Sequence, residues 1–90
     1  MDTKLHLYSG LQQYAQNQTL VTANGTTVGE CLSDLVGQFP DLKPRLFDAS
    51  GVLQTTVFFS INLQTAHREE LNRPLKQGEE IYLILMIPGG

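Results

Sequence analysis

Apolar and polar positions alternate along Lys4-Leu5-His6-Leu7-Tyr8, the period of a half-buried strand. The polar, glutamine-rich stretch from Ser9 to Gln18 follows, with Leu11, Tyr14 and Ala15 spaced for no more than a helical turn. Thr19 to Ala23 has strand propensity, and Asn24-Gly25 ends it with residues that tolerate positive φ. Thr27-Val28-Gly29-Glu30 then has the spacing of a capping box, Thr27 as N-cap and Glu30 reaching back. Val28, Cys31, Leu32, Leu35, Val36 and Phe39 recur at helical spacing and form one apolar stripe. Pro40 closes that helix, because the residue before a proline is pushed out of the α region.

Beyond the helix, Asp48-Ala49-Ser50-Gly51 reads as a turn. Val52 to Leu63 is apolar and β-branched, with Val57, Phe59 and Ile61 on one face and Phe58, Ser60 and Asn62 on the other. Gln64 to Gly78 is polar and irregular, punctuated by Pro74 and Gly78. Ile81 to Ile87 is apolar on both faces, which places this last strand centrally, paired with the first. Strand, strand, helix, strands: the economical two-layer solution is one helix over a mixed sheet of four to five strands. That α+β pattern is a ubiquitin-like β-grasp.

Ninety residues suit a single domain over 1–90, with no room for a catalytic lobe. A net charge of −3 with scattered Lys and Arg argues against nucleic acid, which needs a basic patch. A mildly acidic domain suits a basic partner surface. Cys31, the only cysteine, makes neither an internal disulfide nor an all-cysteine metal site, and its place on the stripe makes it a core residue. No apolar stretch nears the roughly 20 residues that span a bilayer, and no signal segment is evident; the cytosol is the expected compartment. The triplets at Asn17 and Asn24 that resemble glycosylation sites are therefore chance matches. His6 and His67 lack a ligand or triad partner at useful spacing, and Glu69-Glu70, Lys76 and Glu79-Glu80 read as solvated. No phosphate loop, nucleophile arrangement or carboxylate pair is present, so an enzyme is not expected.

Several segments carry a family resemblance in their order and spacing. Thr27 to Leu32 is similar to the helix start of the sulfur carriers that include the molybdopterin synthase small subunit (MoaD) and the thiazole-synthesis carrier ThiS. Phe39-Pro40-Asp41-Leu42, Arg45-Leu46-Phe47-Asp48 and Gly51 resemble the segment after that helix in longer members. Pro74 to Ile81 resembles the turn into the last strand, and Gly89-Gly90 stands where the family ends. The proline beside the diglycine departs from family tails, which often carry it at the position of Leu85. The length between Gly51 and Leu63 is closer to carriers of cysteine-type biosynthesis.

The resemblance implies a protein that is not itself a catalyst. Its Gly90 carboxylate would be adenylated by a ubiquitin-activating-like adenylyltransferase, which uses ATP while the carrier binds no cofactor. The resulting thiocarboxylate would donate sulfur in a sulfur-accepting synthase, toward molybdopterin, a cysteine-type amino acid or a specialised metabolite. Glycines lack Cβ, so Gly89 and Gly90 can thread a narrow channel. Ile87, Pro88, Gly89 and Gly90 reach at most about 13–14 Å when extended. Pro88 stiffens the base of this flexible 87–90 tail by fixing φ near about −65°. Phe58, Ile84 and Met86 point away from the expected core, with His6 and Tyr8 beside them, and form the expected partner-binding surface. Two other readings fit the same residues: a ubiquitin-like modifier joined to lysine, and a β-grasp interaction domain with an incidental diglycine.

Overall fold

A computed structural model describes residues 2–8, 10–62, 64–66 and 71–85. Among the described residues five strands are present: β1 (Asp2–Leu7), β2 (Leu20–Asn24), β3 (Val57–Ile61), β4 (Gln64–Ala66) and β5 (Ile81–Leu85). They form one sheet in the order β2-β1-β5-β3-β4. β5 is the central strand, parallel to β1 and antiparallel to β3, as its apolar character on both faces predicts. The order and the eleven-residue helix α1 (Val28–Gln38) give a ubiquitin-like β-grasp.

Alternation decides which face is buried. Leu5, Leu7, Val21, Ala23, Val57, Phe59, Ile61, Ile81 and Leu83 point inward and are buried. Val28, Cys31, Leu32 and Leu35 of α1 meet them, each fully enclosed. Burial of each Leu or Ile contributes about 1.5–3 kcal/mol, so this interface between helix and sheet carries the domain. Cys31 is a core residue; burial pushes its thiol pKa up, while a hydrogen bond with the Thr3 side chain acts in the opposite sense.

The helix start differs from a simple capping box. Thr27 accepts from the Glu30 amide at 3.1 Å, as a cap should. Glu30 reaches one residue further back than expected, accepting from the Thr26 amide at 2.8 Å and hydroxyl at 2.9 Å. Gly25 is needed for space and not for a positive φ: a Cβ there would lie 2.7 Å from the Cys31 nitrogen and 2.8 Å from the Glu30 Cβ.

Beyond the expected elements a further helical segment is found, and three expectations are corrected. Residues 40–46 form two helical turns, Pro40–Leu42 and α2 (Lys43–Leu46), each with proline near its start, where the missing N–H costs nothing. Strand β3 begins at Val57; Val52 is exposed, and Leu53 makes only an isolated bridge to Phe47. β4 lies inside the stretch read as irregular and pairs with β3 from Phe59↔Ala66 to Ile61↔Gln64. Glu79 and Glu80 are not solvated faces, as shown below. The turn at 48–51 is present, with Gly51 at φ +83° and the Asp48 carboxylate accepting from the Ser50 and Val52 amides.

Candidate docking face and C-terminal strand

β5 reaches the centre of the sheet through a fixed entry. Gly78, at φ +89°, makes the turn, and Glu79 holds it by accepting from the Lys76 amide at 2.6 Å and from Arg73 Nη2 at 3.0 Å. These contacts, the Lys76 amide first, hold the Glu79 carboxyl below the usual glutamate range. Asn62, at φ +55°, then clamps Glu80 from both sides. Its amide donates to the Glu80 carbonyl at 2.7 Å, and its side-chain oxygen accepts from the Glu80 amide at 2.9 Å. The register of β5 against β3 is thereby set before the first ladder pair, Ile61↔Ile81.

Alternation turns Tyr82 and Ile84 to the face opposite α1. Ile84 lies directly across from Phe58, and both are exposed. Tyr8 continues β1 beyond Leu7 by donating its amide to the Leu83 carbonyl at 3.2 Å, so its ring joins the same face. One register step along, Leu20, His6, Tyr82 and Ser60 make a second row across four strands. His6 stacks on Tyr82 with ring centroids 4.1 Å apart and an 11° tilt, and Tyr8 lies 6.2 Å from the same ring. His6 Nε2 meets Glu80 Oε1, a partner 74 residues away that sequence spacing could not reveal.

The face is thus an apolar triangle of Tyr8, Phe58 and Ile84 beside an aromatic and charged row. Exposed clusters of this kind mark interaction sites on small domains. Phe58 and Ile84 sit together as the sequence places them, and His6 and Tyr8 flank them. Met86, Ile87, Pro88, Gly89 and Gly90 lie outside the described residues, as do His67 and Glu69-Glu70. Leu20 and Tyr82 belong to the face but went unnoticed, because neither breaks its strand pattern.

Gly10 bears on the end of β5. At φ +92° it brings the loop after β1 against Leu85, where a Cβ would lie 3.2 Å from Leu85 Cδ2. Leu85 is half-buried and packs on the core, so the strand stays anchored up to the last described residue.

Other chemistry is sparse. Among the described residues no group of three His, Cys, Asp or Glu side chains could hold a metal ion. An open depression of about 520 Å³ lies between Lys43, Pro44, Phe47, Asp48, Ala49 and Gln54. Its Asp48 carboxylate accepts from the Ser50 and Val52 amides, and Gln54 Nε2 donates to the Pro44 carbonyl at 3.1 Å. No helix among the described residues is long and apolar enough to cross a membrane.

The ThiS family model matches residues 5–90. The chain belongs to the ThiS family. The crystal structure of SAMP1 from Haloferax volcanii is 27% identical and superposes with a TM-score of 0.87, the match covering all of both chains. A chain of the BexX/CysO complex of Amycolatopsis orientalis gives 0.81 at 21% identity, over 98% of this chain and 99% of that one. The complex of subunits 1 and 2 of molybdopterin-converting factor from Helicobacter pylori gives 0.65 at 19% identity, over 100% of each chain. At those lower identities the likeness concerns the fold. No curated protein sequence matches this ThiS-family chain.

Proposed function

We propose that this protein is a sulfur carrier whose Gly90 carboxylate is activated as an acyl-adenylate and converted to a thiocarboxylate. The observation that carries the reading is the ThiS family match, which extends through Gly89-Gly90. An anchored central strand leading toward that diglycine supports it, with an exposed apolar face on the same strand.

The chemistry needs an outside enzyme, since a carboxylate has no adequate leaving group. Attack of a carboxylate oxygen on the α-phosphorus of ATP releases pyrophosphate and leaves the acyl-adenylate. A sulfur nucleophile then adds to the carbonyl carbon, the bond to AMP breaks, and Gly90 retains sulfur in place of one oxygen. This chain contributes the reach of its tail and the surface that seats it. Tyr8, Phe58 and Ile84 dock against an adenylyltransferase and, in turn, a sulfur-accepting synthase. That two proteins of the same fold occur in complexes with other subunits supports a docking role.

A second reading is favoured by one comparison: SAMP1 is a small archaeal modifier protein. The same adenylate would then end as an isopeptide bond to a lysine. Incubation with an adenylyltransferase, ATP and a sulfur source separates the two. A gain of about 16 Da on Gly90 supports the carrier, since sulfur replaces oxygen. Lysine-linked adducts without a thiocarboxylate support the modifier. Removing Gly90, or adding one residue after it, should abolish both outcomes with the fold intact; transfer that survives the deletion overturns both readings.

A further inference from the structure

β2 is an edge strand, and its outward backbone groups can be identified from the ladder. The Leu7 amide donates to the Thr19 carbonyl at 2.9 Å, and the antiparallel register runs His6↔Leu20, Leu5↔Val21, Lys4↔Thr22, Thr3↔Ala23. Hydrogen-bonded and non-bonded pairs alternate, so residues 19, 21 and 23 bond into the sheet and residues 20, 22 and 24 point away from it. Two of those outward groups are occupied by side chains of α1. The Thr22 carbonyl accepts from Gln38 Nε2 at 2.9 Å, and the Asn24 amide donates to Asp34 Oδ2 at 3.0 Å. Gln38 Nε2 also donates to Asp34 Oδ2 at 2.9 Å, joining the two side chains one helical turn apart.

The arrangement has the form of a missing strand. In a parallel ladder one residue donates its N–H to the carbonyl of residue i−1 and accepts from the amide of residue i+1 on its neighbour. With Ala23 as i, those groups are the Thr22 carbonyl and the Asn24 amide. Gln38 supplies the donor and Asp34 the acceptor.

We infer that Asp34 and Gln38 act together as a surrogate strand residue that closes the β2 edge to strand addition. An antiparallel strand is excluded as well, because it too needs the outward groups of Thr22 and Asn24. Edge strands left open invite pairing with another chain. The occupant barred here is a second copy of this chain, joined β2 to β2, with exposed Leu20 adding an apolar contact. The inference does not depend on the proposed function.

The test is the D34A/Q38A variant, in which alanine preserves the helix. At about 10 μM, where a weak dimer is dissociated, hydrogen exchange at the Asn24 amide should quicken by about tenfold, the loss of one hydrogen bond. Sedimentation should show a dimer below about 1 mM, where the native chain stays monomeric. Asp34→Asn keeps a carbonyl oxygen for the Asn24 amide and should remain monomeric with that amide protected. Unchanged exchange at Asn24, or a double variant monomeric at about 1 mM, overturns the inference. So does self-association of Asp34→Asn, because charge repulsion would then be guarding the edge.

Discussion

Phe58 and Ile84 face each other across the β3–β5 ladder, 50% and 38% exposed, on the strand that leads toward the diglycine. A directly opposed apolar pair stabilises a sheet only modestly, by about 0.2–1 kcal/mol. Left in water, such a pair gains most when a partner covers it. Phe58→Thr/Ile84→Thr should therefore fold with a melting temperature close to the native one. Binding to an adenylyltransferase of this family should weaken by about tenfold or more, as for a central interface anchor. Calorimetric titration of both forms checks this; equal affinity removes these residues from the docking face.

Thr27 is the N-cap of α1, and its hydroxyl satisfies the Glu30 amide. Thr27→Ala should cost about 1 kcal/mol. For a domain of this size that is a fall of about 4–8 °C in melting temperature, measurable by circular dichroism. Thr27→Ser should recover most of it.

The acid side of stability rests on three carboxyls whose native pKa values are lowered. The Lys76 amide, and then Arg73, act on Glu79; the Thr26 amide and hydroxyl act on Glu30; the Asn24 amide and Gln38 act on Asp34. Each binds its proton more weakly folded than unfolded, so the unfolded chain takes up more protons as the pH falls. The stabilisation is complete above the unfolded values, 4.5 for Glu and 3.8 for Asp, and is lost as the pH drops through the folded ones. Urea midpoints should be level at neutral pH and decline below about pH 4.5. Glu79→Gln should be less stable at pH 7, with the gap closing toward pH 3; parallel curves would refute the assignment.

Much of this fold is legible in the chain, and the reasons differ by element. Helix α1 and the inward faces of β1, β2 and β3 follow from apolar periodicity, because a two-layer domain buries one face of each. The centrality of β5 follows from its apolar residues on both faces. Val52 misleads, since its β-branched side chain belongs to an exposed turn residue and not to a strand. β4 is three residues long, too short for any period to register. Pro40 and Pro44 hide the helical turns that they begin. At the candidate site, Phe58 and Ile84 are legible by alternation. The His6–Glu80 contact, the Asn62 clamp on Glu80 and the approach of Gly10 to Leu85 arise only when distant segments meet.

Two glycines with ordinary φ test space against backbone freedom. A Cβ at Gly25 would stand 2.7 Å from the Cys31 nitrogen, inside the first turn of α1, where the backbone cannot yield without breaking the cap. Gly25→Ala should therefore cost about 3 kcal/mol, at the upper end for an overpacked site. Gly37 sits within α1 on an exposed position, and nothing lies within 4 Å of the Cβ it would gain. Alanine there removes only the entropy that glycine loses on entering a helix, so Gly37→Ala should stabilise the domain by about 1 kcal/mol. Thermal melts of the two variants should move in opposite directions from the native chain. If Gly25→Ala melts with the native protein, the loop before α1 has more room than the packing of Thr26 and Glu30 around it permits.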